Sequence, residues 1–255
     1  MTAGDGHETV QATRTMFDIV EYVKRADGAT VTGAADALGY AKSTIHRHLA
    51  TLHELGYVVR NGDEYAVGLR FLDLGQHART RRLGYALAKD KVEEIATETG
   101  ERAQFIVEEH YEAVYIHRSF GEQAVHTDPG IGSRIPLHAT AAGKAILAHV
   151  PEARLFEIVE HAAFEPITDA TITDREALFE ELAAIRERGY SFNRQENLEG
   201  LNAVGVVVTG PDDAVIGALS VSGPSHRLTG ERLETELPNL LLGTANELEL
   251  NIAYA

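Results

Sequence analysis

Lys42, Ser43, Thr44, His46 and Arg47 crowd the first turns of the stretch Ala41–Tyr57, AKSTIHRHLATLHELGY. Short, polar and cationic side chains of this kind hydrogen-bond base edges and phosphates. Ile45, Leu49 and Leu52 recur in the same stretch at helical spacing, and Leu55 closes the stripe. A helix with one apolar side and one such polar side can enter a DNA major groove amino end first. An ordinary amphipathic helix with a solvated face has the same stripe, so the neighbouring residues must decide. Gly33 to Leu38 reads as a second short helix ended by Gly39, which gives a helix-turn-helix. Gly56 stands where a left-handed helix stop is needed. Tyr57 to Arg60 and Glu64 to Gly68 flank the turn Asn61-Gly62-Asp63, a hairpin signature. Helix, turn, helix and hairpin make a winged helix, in which Arg60 and the loop 61–64 lie along the sugar-phosphate backbone.

A second group of residues invites chemistry and is excluded from most of it. Ala139-Thr140-Ala141-Ala142-Gly143-Lys144-Ala145 shares only Gly-Lys with a phosphate loop, since His138 and Ala145 stand where that loop needs Gly and a hydroxyl. Gly130-Ile131-Gly132 lacks the third glycine of a dinucleotide fingerprint, and no nucleophile elbow occurs. The small residues at 139–145 still allow a helix to approach a sheet closely with its anion-attracting amino end open. Close helix packing without a ligand fits them as well. His110, His117, His126 and His138, with Asp128 between, show no tight metal-ligand spacing, so no metal is expected. Ser220 and Ser222 point to one face of a strand. They face either a polar ligand or water.

The elements that position these groups follow from periodicity. Glu8 to Arg25 reads as a helix, with Val10, Phe17, Val20 and Val23 among its apolar positions. Leu69 to Arg82 is a connecting helix whose Leu69, Leu72 and Gly75 form an apolar side for a second subunit or a covered linker. A helix from Tyr85 to Thr99 precedes strands at Arg102–Glu108, Ala113–Arg118 and near Val125. His138 to His149 is an Ala-rich helix, and another starts after Pro151. Thr173-Asp174-Arg175-Glu176 reads as a capping box for a helix to Arg188. Strands Val204–Thr209 and Val215–Val221 flank the Gly210–Asp213 turn, and a long acidic helix starts near Gly230. The expected fold class is α+β: a winged helix-turn-helix over residues 1–68, a linker helix over 69–82, and over 83–255 a sheet with helices on one face, able to hold a ligand between the layers.

Composition bounds the setting. The 255 residues include no cysteine, which rules out a disulfide framework and a cysteine–zinc site. No apolar run approaches the ~20 residues of a membrane span, and the start lacks a signal-peptide pattern, so a cytoplasmic protein is expected. The net charge is -16, with 23 Lys+Arg against 39 Asp+Glu. Residues 1–80 carry only -2 of it and residues 81–255 the other -14. Just 5 of the cations are Lys against 18 Arg. Excess carboxylate, scarce Lys and no Cys point to a host with high internal salt, a halophilic archaeon, with a merely acidic mesophilic protein as the competing explanation.

Four segments together resemble the IclR family of transcriptional regulators along almost the whole chain. They are Lys42 to Leu49 with Leu52 and Gly56, Leu137 to Ala145, Arg188-Gly189-Tyr190 with Glu196 and Gly200, and Ala218 to Pro224. The resemblance implies a winged-helix DNA-binding domain, a linker helix and a GAF-like effector-binding domain. It implies a homodimer, often paired into a tetramer, bound to an inverted-repeat operator in double-stranded DNA and controlling carbon-catabolic genes. The family's effector contacts fall here on Ala141, Ala142, Asn193, Ala203, Ser220 and Ser222. An amide at Asn193 replaces a carboxylate and a methyl at Ala203 replaces a thiol, so the expected ligand extends from a small organic acid to a sugar acid or an aromatic acid. No cofactor is implied. Two other readings stand beside this one: a DNA-binding protein whose second domain only oligomerises, and an enzyme fused to a helix-turn-helix. The enzyme reading needs an acid–base pair, a nucleophile or a cofactor loop, and the sequence offers none.

Overall fold

The computed structural model describes residues 9–125 and 130–255, in two compact units, Met1–Ala78 and Arg79–Ala255. His126 and Asp128 lie outside the described residues.

In the first unit α1 (Gln11–Arg25), α2 (Val31–Leu38) and α3 (Lys42–Glu54) pack over a three-stranded sheet ordered β1 (Ala29–Thr30), β3 (Glu64–Val67), β2 (Val58–Asn61). Thr30 caps α2 by accepting a hydrogen bond from Gly33 N at 3.0 Å. Gly39 (φ +72°) ends that helix in the left-handed region where a side chain would be strained. Ile45, Leu49 and Leu52 join Ile19, Val20, Val23 and Val58 in one apolar core. Two sequence expectations shift. Val10 and Phe17 are exposed, and Thr15 and Ile19 join the expected Val20 and Val23 at the inner positions of α1. Leu55 lies beyond the last turn of α3 and is exposed, so it does not close the stripe.

Arg70–Thr80 forms α4, which buries none of its residues. Leu69, Leu72 and Leu74 on and beside it are 83, 67 and 50% exposed.

The second unit is a six-stranded antiparallel sheet with spatial order β6-β5-β4-β9-β8-β7. The strands are β4 (Arg102–Glu109), β5 (Glu112–Phe120), β6 (Arg134–Ile135), β7 (Ser191–Arg194), β8 (Leu201–Thr209) and β9 (Val215–Pro224). Helices cover both faces, not one. Phe105, Val107, Val204, Val206, Leu219 and Val221 pack with α5 (Leu83–Thr99) and the last helix, α9 (Leu237–Tyr254). Ile106, Ala113, Tyr115 and Ala218 pack with α6 (Ala141–His149), α7 (Glu152–His161) and α8 (Arg175–Arg188).

Several boundaries differ from the sequence reading. α6 starts at Ala141, because Thr140 turns the chain and accepts from Gly143 N at 3.1 Å. α8 is capped by Asp174, which accepts from Ala177 N at 2.9 Å, one residue later than a box starting at Thr173. Val125 is not in a strand; β6 forms nine residues further on. The last helix opens with a π-helical turn, Arg232–Glu236. No helix among the described residues is long and apolar enough to cross a membrane.

Candidate functional site

α3 turns one side to the core and the other to solvent. Lys42, Ser43, His46 and Arg47 are exposed and Thr44 is half-buried, all in its first two turns. Among the described residues, neither Lys42 nor Arg47 is in an ion pair, which leaves both charges available. The β2–β3 hairpin stands beside this helix. Arg60 on β2 is exposed but held: its Nε donates to Gly62 O at 2.8 Å, its guanidinium lies 3.7 Å from Asp63 and 5.6 Å from the Tyr65 ring centroid. His46 and Arg60 line a common hollow of about 350 Å³ with Thr30 and Thr32. A cationic helix end, a hydroxyl-bearing turn and a hairpin Arg thus share one surface of the first unit.

The second site lies on the α6 face of the sheet. α6 touches β8 because Gly205 permits it, and Gly143 lets the turn before α6 fold against the helix. A Cβ on Gly143 would sit 2.1 Å from Leu137 O, and one on Gly205 would sit 2.6 Å from the Ala141 carbonyl carbon. Two polar rows run across the strands beneath it. Register places Arg102, Ser222, Ala203 and Asn193 in one and Gln104, Ser220, Gly205 and Ser191 in the other. The side chains of these rows are at most 6% exposed. Ser220 and Ser222 therefore do not face water. Arg102 Nε donates to Ser222 Oγ at 2.9 Å and Gln104 Nε2 to Ser220 Oγ at 3.1 Å. Asn193 Nδ2 donates to Ala139 O at 2.8 Å, and its Oδ1 accepts from Glu196 N at 2.9 Å. Ser191 Oγ donates to Ala141 O at 2.5 Å. Beside the row, Lys144 is buried with both Glu196 oxygens at 2.6 and 2.7 Å.

Burial pushes the Arg102 guanidinium below its ordinary pKa, with Tyr115 opposing and Arg118 adding to the fall. The site is thus a polar patch, with one guanidinium and one Lys–Glu pair, within an otherwise apolar interior. The structure brings Ala141, Asn193, Ala203, Ser220 and Ser222 together, and Ala142, whose backbone N also lies against Gly205, packs in the apolar cluster with Ala145 and Ile146. Sequence reasoning missed Arg102, Gln104 and Ser191. The first two were findable: polar residues at i and i+2 in Arg102-Ala103-Gln104-Phe105 share one face of a buried strand. His110 and His138 line one cavity, and His117 is not among its lining residues. His117 Nε2 lies 2.6 Å from Tyr85 O, and no group of three or more potential metal ligands forms among the described residues.

Comparison with known proteins places this architecture. Residues 15–62 match the IclR helix-turn-helix domain and residues 78–250 match the bacterial transcriptional regulator IclR C-terminal domain. A probable HTH-type transcriptional regulator, ArcR, of Halobacterium salinarum is 31% identical, covering 93% of this chain and 92% of its own. The acetate operon repressor of Salmonella typhimurium is 28% identical, covering 94 and 89%. The crystal structure of the Thermotoga maritima IclR superposes with a TM-score of 0.81 at 30% identity, covering 95 and 98%. With an exposed cationic helix end in one unit, a buried polar row in the other, and both halves matched over nearly their full length, the chain belongs to the IclR family: it is a DNA-binding transcriptional regulator with an effector-binding domain.

Proposed function

We propose that this regulator binds an inverted-repeat operator as a homodimer or tetramer, and that a small organic acid bound on the α6 face of the sheet changes that binding. The observation that carries the reading is the buried row Arg102, Gln104, Ser220, Ser222 and Asn193. A strand face under a helix is apolar by default, and burying polar groups costs free energy unless they are paired. Arg102, Gln104, Ser220 and Ser222 hold one another by hydrogen bonds that a carboxylate and hydroxyls on a ligand could take over. The buried guanidinium favours an anion. A sugar acid or an aromatic acid meets the same requirements. The likeness to the acetate operon repressor supports carbon-source genes as targets. The reading places the protein in the cytoplasm, as a regulator without catalytic activity.

The test measures operator binding and thermal shift of the full chain across a panel of such acids. A ligand that binds the native state raises the melting temperature. One acid should raise it and shift operator affinity, and Ser220→Leu should abolish both effects while operator binding without ligand remains. A domain that only oligomerises would give no shift with any acid. Footprinting of the bound operator should show two half-sites about one helical turn, or a multiple of it, apart.

A further inference from the structure

The β4–β5 hairpin turns through His110 and Tyr111, both in the left-handed region at φ +55° and +69°, with Glu109 paired to Glu112 across them. Such a turn is least strained with Asn-Gly. A histidine and a tyrosine are poor choices for the backbone, so their side chains must contribute something else. Phe164, at φ +49°, is a third bulky residue in the same region. Three of the six non-glycine residues with positive φ among the described residues therefore line one cavity of about 370 Å³. Strain that collects around a cavity is a mark of function rather than of packing.

The floor of that cavity is apolar: Leu137, Leu147, Ile158 and Leu178 are all buried. Its walls are aromatic. The His138 and Phe164 rings lie 4.9 Å apart, and Tyr111 stacks on His161 at 4.1 Å and 10°. Among the described residues Glu112 and Glu165 line it and no Lys or Arg does, the nearest guanidinium groups being those of Arg154 and Arg175 against the Tyr111 and Phe164 rings. His138 is 4% exposed, and its Nε2 has no hydrogen-bond partner among the described residues. A buried polar atom left unpaired costs more than a hydrogen bond returns, so a partner is expected. Arg102, Asn193, Ser220 and Ser222 are not among the lining residues.

We propose that this cavity is a second ligand site, distinct from the polar row of the sheet, for a neutral flat aromatic molecule of two-ring size. One hydroxyl or carbonyl of that molecule hydrogen-bonds His138 Nε2, which a turn of the ring brings to the cavity from its shielded position. Size sets the two rings, since a cavity of about 150 Å³ holds benzene. Charge sets neutrality, because two carboxylates and no cation line the cavity. Burial, with Lys144 adding to it, pushes the His138 imidazole below its ordinary pKa. The ring is therefore neutral at neutral pH and gives or takes one hydrogen bond at Nε2 according to tautomer.

The probes are 2-naphthol, naphthalene and 2-naphthoate, titrated into the full chain and followed by probe fluorescence. The parent chain has no tryptophan to interfere, and binding to the Ala163→Trp variant is followed by calorimetry. 2-Naphthol should bind saturably at one per chain, with naphthalene and 2-naphthoate each about tenfold weaker. His138→Phe should reduce 2-naphthol to the level of naphthalene. Ala163→Trp, at an exposed lining position, should block both without changing the melting temperature. Absence of saturable binding, tightest binding of 2-naphthoate, or binding unaltered by Ala163→Trp would each overturn the proposal. If His138→Phe does not fold, Ala163→Trp together with the probe series decides it.

Discussion

Arg47 is the side chain on which sequence reading depends most. It is exposed in the second turn of α3, and no described carboxylate neutralises it. Arg47→Ala is expected to weaken operator binding by about 1–3 kcal/mol, the range of a good base contact. Operator and random DNA measured in parallel separate the roles: equal loss on both makes Arg47 a phosphate contact, and no loss removes it from the interface. Two buried histidines make a different prediction. Burial lowers the pKa of both His117 and His138. In the unfolded chain each returns to its ordinary value near 6.5, so below that pH the unfolded state binds more protons than the folded one. Stability is therefore complete above pH 6.5 and falls as the pH drops below it. Melting temperatures from pH 8 to 5 should show this fall, and His117→Gln should flatten it. An unchanged slope in that variant would mean that His117 titrates alike in the folded and unfolded chain.

The close approach of α6 to β8 is controlled by a single missing side chain. Gly205→Ala would place a methyl 2.6 Å from the Ala141 carbonyl carbon, against backbone that cannot rotate away. Overpacking of this kind costs about 1–3 kcal/mol. Because α6 covers the polar row, the variant should also weaken the proposed ligand response, and the two losses can be read from one thermal-shift series. A variant as stable as the parent would show that α6 can lift from the sheet. This layer also shows where sequence reading stops. The winged helix was legible because its signals are local: Gly39, Gly56 and Asn61-Gly62 punctuate a clean apolar stripe. The strand β7 was not, since Ser191-Phe192-Asn193-Arg194 is short and half polar. It is a strand because it pairs with β8 at Ser191↔Gly205 through Arg194↔Asn202, partners that are distant in sequence. Ser220 and Ser222 were visible as a same-face pair, but only the register with Arg102 and Gln104 shows that this face is inside.

At the scale of the molecule, charge is divided unequally. The -16 resides almost wholly in residues 81–255, and the DNA-reading unit is close to neutral. Such a unit cannot draw DNA by a broad basic field. Counterion release then contributes little, and log affinity should fall less steeply with log salt than for a basic winged helix. At ~1 M salt the screening length is only about 3 Å, so base contacts must suffice. Operator binding is expected to persist in molar KCl, while the acidic second unit loses structure in dilute buffer as its like charges repel unscreened. A KCl titration of binding beside circular dichroism checks both. Steep loss of binding below about 0.3 M KCl, with the fold intact in dilute buffer, would contradict a halophilic host and leave the winged helix standing.

The helix α4 has one more consequence. None of its residues is buried within a single chain, and Leu69, Leu72 and Leu74 lie open on and beside it. Without tertiary packing an 11-residue helix is marginal in water, so its amide hydrogens should exchange with solvent far faster than those of α3 or α6. Contact with a second copy would protect them only in the associated fraction. Exchange rates in α4 then become a gauge of association: protection should rise with protein concentration by mass action, while the protection of α6 stays constant. Rates in α4 that do not change with concentration would mean that this helix is steadied from within its own chain.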